Sequence, residues 1–415
     1  MTEEDTLARN TRVSQSQDDD IYLRYPESDF QSVMQDVLAS HSEESFCFLN
    51  EGSLRARSRF FDEHFLPEYE HRAVAYAMKA NSRPRILEIL IEEGMRVFDC
   101  ASIGEINKVL AVSKKCSQCV DPMFNNPIKR RCNIEEALQL GVNKLTVQSR
   151  AEIEKILDCS AVNPELEIML RLQTLNQGAG INLSEKFGAD LASAKEILSF
   201  LKENYPQIIR SLAINIGSQN PDPAVFPKFA QVIRELISEY GDFATINLGG
   251  GMPVNYHEHE NFDLAHYLKI VSAAVRKHLD SQLEAGSQIV IEPGRAMIAE
   301  AVDSVIPILA IEQRGGYDCV YIYDGLFTSF SDAAIHGWEY NFRAVRQDGT
   351  EVNEEKKPFI LYGRTCDSGD VIKKAYLPKD ISAGDFLWLR NAGAYMDVQG
   401  STFNEFPLPK YISYN

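Results

Sequence analysis

The chain has 415 residues, with 42 Lys and Arg against 60 Asp and Glu, a formal charge of −18. So acidic a surface argues against a nucleic-acid binder, which needs a basic face to neutralise phosphates, although it leaves room for a local cationic pocket. Eight cysteines are too sparse for a disulfide scaffold of this length. No apolar run approaches the ~18 residues of a membrane span. The start shows no basic-then-apolar signal pattern, so a reduced, cytoplasmic setting is the default expectation.

Residues 1–20 are acidic, rich in Ser and Gln and poor in large apolar groups, and read as a disordered leader. Residues 21–45 are expected to add a strand or helix to a second domain. From residue 46 strand-like runs recur at 45–50, 73–79, 95–101, 144–149, 165–173, 211–218, 244–251 and 288–294. Helix-period segments lie between them, among them 84–94, 103–113, 133–141, 151–158, 192–205 and 226–241. About eight β/α pairs over ~240 residues predict a (β/α)₈ barrel across 46–298. Beyond Pro293 the runs 318–324, 357–363 and 385–391 are bounded by turn residues without long helices between them. Together with residues 21–45, residues 299–415 are expected to form a mostly antiparallel β domain. The fold class is therefore α/β, a barrel plus a C-terminal β domain. Cys116 and Cys119 have CxxC spacing, but no second ligand pair follows at metal-binding distance, and surface thiols on a loop are the simpler reading.

Polar and glycine residues cluster at the predicted C-terminal ends of barrel strands, where barrel enzymes build their sites. Lys79 closes the run AVAYAMK; burial there should lower its pKa and leave a neutral amine able to add to a carbonyl carbon. Gly249, Gly250 and Gly251 close another strand, and glycine lets backbone N–H groups approach an anion. Glu292 precedes Pro293, Gly294 and Arg295 at the last barrel strand, a recurrent place for phosphate binding. A buried glutamate needs a cationic partner, which a protonated pyridine nitrogen would supply. Taken singly, each has an ordinary alternative: a lysine reaching solvent, a loop hinge, a Glu–Arg ion pair.

Together, Tyr76–Asn81, Phe98–Ser102, Gly249–Gly251, Glu292–Arg295, Cys366–Asp370, Gly393–Tyr395 and Ser401–Asn404 resemble, in order, the motifs of the fold-type III pyridoxal-phosphate-dependent amino-acid decarboxylases. This is the ornithine and diaminopimelate decarboxylase family, and the resemblance covers about residues 45–410. It implies an alanine-racemase-like barrel, pyridoxal 5'-phosphate as cofactor, and a homodimer with two shared active sites acting on a small amino-acid-type substrate. Carried over, Lys79 would hold the cofactor and Glu292 would pair with its pyridine nitrogen. Asp99 and Glu105 would line the pyridine side, with Arg171 near the ring oxygen. Ser218, Gly249–Gly251, Gly294, Arg295 and Tyr395 would hold the phosphate. Cys366 would reach across from the partner as proton donor, with Asp367 on the substrate's distal amine. Taken alone, Cys366 would read as a small buried hydrophobe.

Three positions depart from the family pattern. Asn215, before Ile216, Gly217 and Ser218, stands where a histidine usually stacks on the ring. Counting from Asp324, His336 falls where ornithine decarboxylases carry a second aspartate for the distal amine. Arg364 replaces a common proline before Thr365 and Cys366, adding a cation close to the distal pocket. The changes suggest an aminocarboxyl group on a larger metabolite, as in siderophore or antibiotic tailoring, with Arg364 clamping an anion. Ornithine or lysine is the alternative, since Asp367 persists; diaminopimelate is disfavoured by Cys-Asp where Cys-Glu is usual. A same-fold racemase is disfavoured by Cys366 and Asp367 in the place of a tyrosine base. A non-catalytic regulator is disfavoured by the intact Lys79, glycine run and Glu292.

Overall fold

The computed structural model describes residues 21–25, 28–160, 163–174, 180, 186–257 and 260–415, with no account of the Lys373 side chain. The expected leader, residues 1–20, lies outside the described residues.

Eight parallel strands close a barrel. In chain order they are β3 (Arg72–Ala77), β4 (Val97–Cys100), β5 (Asp121–Phe124), β6 (Lys144–Val147), β7 (Glu167–Arg171), β8 (Ile209–Ala213), β9 (Thr245–Asn247) and β10 (Gln288–Ile291), with β10 pairing to both β9 and β3. The lower interior is filled by small and flexible side chains, Ala73, Ala75, Val97, Met123, Met169, Ala213 and Val290. The outer faces of the strands pack Tyr76, Phe98, Phe124, Leu145, Ile168, Leu212 and Ile246 against the surrounding helices. Those helices start on side-chain caps: Ser102, Asp190 and Asp263 each accept the backbone N–H three residues on.

The second sheet has nine strands: β1 (Leu23–Tyr25), β2 (Phe46–Asn50), β11 (Val302–Arg314), β12 (Tyr317–Ile322), β13 (Phe342–Val345), β14 (Lys356–Tyr362), β15 (Val371–Pro378), β16 (Phe386–Leu389) and β17 (Lys410–Tyr414). Residues 21–45 supply both β1 and the helix Phe30–Ser40. One expectation, the set of barrel strands, needs correction. The run at 45–50 does not belong to the barrel: β2 pairs antiparallel with β11 and parallel with β17. The barrel strand missing from the sequence reading is β5, only four residues long and beginning Asp-Pro, which hides it from a periodicity test. The sheet is mostly antiparallel, as expected, in five of its eight pairings, with β1–β17, β2–β17 and β12–β14 pairing in parallel. The C-terminal strand is threaded between two N-terminal ones, so the start and the end of the described chain close the same sheet. Among the described residues, no helix is long and apolar enough to cross a membrane.

Candidate functional site

The barrel's parallel strands bring the ends of β3, β4, β7, β8, β9 and β10 to one rim. A turn of 3-10 helix after β3 carries Lys79, and Asp99 lies within β4. Lys79 Nζ donates to Asp99 Oδ2 at 2.9 Å; the Asp99 carboxylate is 3% exposed, whereas the lysine side chain keeps 45% of its surface open. The expected lowering of the Lys79 pKa does not occur. Burial does push the ammonium down, but Asp99, Tyr395 and Glu292 outweigh it and hold the proton more firmly than in an ordinary lysine.

Glu292 follows β10 and is buried. Asn125, after β5, and Asn247, at the end of β9, both donate their amide N–H to its Oε1, the latter at 2.5 Å. Thr146 Oγ1 donates to the Asn125 carbonyl at 2.7 Å, and the Gly249 N–H donates to the Asn247 carbonyl at 2.8 Å, so both amides are fixed in orientation. Burial and then Asp99 push Glu292 up to about 7, against the opposing pull of Lys79, Asn247 and Arg171. Arg171, at the end of β7, has its pKa lowered by burial and lies over the Phe187 ring at 5.2 Å. Glu105 is committed elsewhere: it accepts the Ala101 N–H at 2.6 Å while Ser102 Oγ accepts its own N–H, which caps the helix Ile103–Lys115.

Backbone crowding explains the glycines at the opposite end of the site. A Cβ at Gly249 would lie 2.3 Å from the Ile214 carbonyl oxygen, and one at Gly250 would lie 2.4 Å from that of Glu292. Gly251 has φ +101° and would meet the Gly217 carbonyl at 2.6 Å. Gly294 sits against Ala77, Ala80 and the Tyr395 hydroxyl. Tyr395, at φ +58°, is anchored by its N–H to the Ala80 carbonyl at 3.0 Å. Arg295 is buried; Nη1 donates to the Tyr256 hydroxyl at 3.0 Å, and Nε is buried without a partner. Ser218 is half-buried. Asn215 turns its amide back on its own loop, where Oδ1 accepts the Gly217 N–H at 3.0 Å.

The β-domain candidates are distributed differently. Asp324 is not an open substrate contact: it is fully buried and accepts from the Gly325 and Ser329 N–H groups and the Ser329 hydroxyl. Burial pushes its carboxyl up to about 6. Arg364 does not present its charge outward as a clamp. Its Nη2 donates to the Pro407 carbonyl at 2.6 Å and to Thr328 Oγ1 at 3.2 Å, and the guanidinium lies over Tyr323 and Phe406. His336 is exposed and lines a groove of about 740 Å³ with Tyr256, His257, His266 and Trp338. Cys366 and Asp367 are exposed on the loop between β14 and β15, which removes the buried-hydrophobe reading of the cysteine. Asp370 braces that loop by accepting from the Leu326 and Thr365 N–H groups and the Thr365 hydroxyl. Among the described residues of the single chain, no hydrogen bond or ion pair joins Cys366 or Asp367 to Lys79. The sequence reading passed over Asn125, Asn247, Tyr256 and Trp338, and gave Asp370, the end of a recognised motif, no role. Of the first four, only Asn247, placed at a strand end just before the glycine run, carried a usable signal.

A barrel of this kind, with a lysine, a buried glutamate, a crowded glycine run and a buried arginine on one rim, defines a pyridoxal-phosphate enzyme. The family model described as the pyridoxal-binding domain of pyridoxal-dependent decarboxylases matches residues 51–299. The chain belongs to that family, and it is a pyridoxal-phosphate-dependent amino-acid decarboxylase. It is 28% identical over 343 residues to the lysine/ornithine decarboxylase of Selenomonas ruminantium, covering 82% of each chain. It is 29% identical over 375 residues to the diaminopimelate decarboxylase of Actinosynnema pretiosum, covering 88% of this chain and 82% of that one. The lysine/ornithine decarboxylase of Vibrio vulnificus, solved with putrescine, superposes with a TM-score of 0.78 at 26% identity, covering 94% and 99% of the two chains.

Proposed function

We propose that the chain decarboxylates a basic α-amino acid with a distal amine, of the ornithine and lysine class, as a homodimer whose two sites are each completed by the other copy. The observation that carries the substrate class is the pair Arg364 and Asp367. The arginine spends its guanidinium inside the β domain, while the aspartate presents a carboxylate on an exposed loop beside Cys366. With Arg364 turned inward, the anion clamp that favoured a larger tailored metabolite is missing. The named lysine and ornithine decarboxylases among its relatives support the same class.

The residues at the rim fit the cofactor. A buried arginine with an orphaned Nε, directly after Gly294 at the end of the last barrel strand, suits a phosphate dianion. In this reading Lys79 holds the aldehyde carbon and Asp99 stands beside it. Arg295, Gly249–Gly251, Gly294, Ser218 and Tyr395 hold the phosphate. Glu292 faces the ring nitrogen, with Arg171 and Asn215 beside the ring. When bound, pyridoxal phosphate supplies a ring that accepts the electron pair left at Cα as CO₂ departs. The chain's part is electrostatic and geometric. Glu292, fixed at Oε1 by two amides, would set a carboxylate against the ring nitrogen and so favour the protonated ring. Cys366, reaching from the second copy, returns a proton to Cα as general acid, and Asp367 takes the distal ammonium.

A second reading, an amino acid carried on a larger group, is favoured by one feature: His336 stands where a second carboxylate for a distal amine is expected. Release of CO₂ from ornithine, lysine, arginine, diaminopimelate and their conjugates separates the two. Efficient turnover of ornithine or lysine is expected. Turnover confined to conjugates would overturn the first reading.

A further inference from the structure

Two half-buried arginines elsewhere in the chain are neutralised by carboxylates: Arg83 pairs with Asp397 at 2.5 Å, and Arg85 pairs with Glu51. Arg295 is held another way. Among the described residues, no carboxylate lies within ion-pair distance of it, the charge of Asp332 reaching it only from farther off across a shared cavity, and its guanidinium sits among three aromatic rings. Its central carbon is 4.7 Å from the ring centre of Tyr395, 5.1 Å from that of Trp338 and 5.7 Å from that of Tyr256. Tyr256 and Trp338 meet edge to face at 5.1 Å and 88°. Both also line the wide groove that holds His336, while on their other side a small internal cavity is shared with Arg295 and Asp332. The ring pair is thus a wall between groove water and the arginine. Trp338 comes from the β domain, where its backbone N–H donates to the Asp332 backbone carbonyl at 3.2 Å and ties the loop to the helix Ser331–His336.

An aromatic ring stabilises a desolvated cation through its negative face without cancelling the charge. A carboxylate partner would cancel it. We infer that Trp338 and Tyr256 are positioning residues for the anion end of the site: they hold Arg295 dry and un-neutralised, so that its charge acts on the cofactor phosphate. This rests on the proposal that Arg295 binds that phosphate. It adds that the β domain, through Trp338, sets the strength of that binding.

Pyridoxal, which lacks the phosphate, is the discriminating probe. Dissociation constants of pyridoxal phosphate and of pyridoxal are measured by equilibrium dialysis on the full-length protein, with thermal unfolding as a folding check. Trp338→Ala is expected to weaken pyridoxal phosphate by about 10-fold while leaving pyridoxal unchanged. Trp338→Phe should retain most of the affinity, and Tyr256→Phe, which removes only the hydroxyl to Nη1, should show a smaller but equally selective loss. Should the alanine variant unfold, the two phenylalanine variants carry the test alone. Equal weakening of both ligands, or no weakening of either, overturns the inference. Arg295→Ala separates the levels. A selective loss there without one at Trp338 or Tyr256 sinks only the aromatic wall, whereas no selectivity at Arg295 sinks the phosphate reading beneath it.

Discussion

Glu292 has a folded-state pKa of about 7 against an ordinary 4.5, and the gap has opposite consequences for stability and for catalysis. Below pH 4.5 both folded and unfolded chains keep the proton and no penalty exists. As the pH rises the unfolded chain ionises first, so the folded cofactor-free protein loses stability progressively and reaches the full penalty above pH 7. That penalty is worth about 3 kcal/mol. Glu292→Gln keeps the oxygen that accepts from Asn125 and Asn247 and removes the charge. Cofactor-free Glu292→Gln should therefore exceed the parent only slightly near pH 5 and most at pH 8, by about 3–6 °C in Tm for a protein of this size. The loaded enzyme should lose kcat on the order of 10²–10³-fold, because the ring nitrogen no longer faces a carboxylate. Thermal unfolding from pH 5 to 8, with decarboxylation rates in parallel, tests both. A Tm difference that stays flat with pH, or a variant less stable at pH 8, would refute the argument.

Gly250→Ala puts a methyl 2.4 Å from the Glu292 carbonyl oxygen and should abolish cofactor retention; at Gly294 the nearest atoms, the Cβ atoms of Ala77 and Ala80 and the Tyr395 hydroxyl, are farther off at 3.1–3.2 Å, so Gly294→Ala should only weaken it. Cofactor absorbance after gel filtration compares the two, and equal loss would contradict the crowding argument. Lys79→Ala and Cys366→Ala proteins should each be inactive, and mixing them should restore activity if each site draws on both copies; no recovery after confirmed subunit exchange would sink the shared-site proposal. Asp370→Ala strands three donors, at about 1–3 kcal/mol for each buried one. It should lower kcat through the Cys366 loop without changing cofactor affinity, and an unchanged kcat would show that the loop does not need its brace.

The rim of the barrel was legible because parallel strands must end together: Lys79, Arg171, Gly249 and Glu292 each close a recognisable apolar run, and topology does the rest. The β domain was less so. Strand β2 has the same apolar character as a barrel strand, and nothing local tells Phe46–Asn50 that its partners are 250 and more residues away. Asp324 and Arg364 were misjudged for a related reason. Sequence gives a residue's charge but not which way it faces, and both charges are consumed within their own domain. Asn125 was hidden because the strand before it, Asp121–Phe124, carries a proline and too few residues to show a period.

Lys79 supplies a last test, since its protonation state opposes what carbonyl chemistry needs. Addition to a carbonyl requires the neutral amine, yet the ammonium sits 2.9 Å from Asp99 with its pKa above that of an ordinary lysine. The cofactor-free site therefore keeps its nucleophile protonated, and Asp99 is the largest charge doing so. Asp99→Asn should lower the Lys79 pKa by about 1–3 pH units, each bringing on the order of 10-fold more neutral amine. At pH 8 a small amine-reactive electrophile such as trinitrobenzenesulfonate should then modify Lys79 that much faster in the variant, as read by peptide mass spectrometry. A general opening of the site would instead speed cysteine and tyrosine reagents as well, and leave the pH dependence of lysine modification where it was. An unchanged Lys79 rate would show that Glu292 and Tyr395, rather than Asp99, hold the proton.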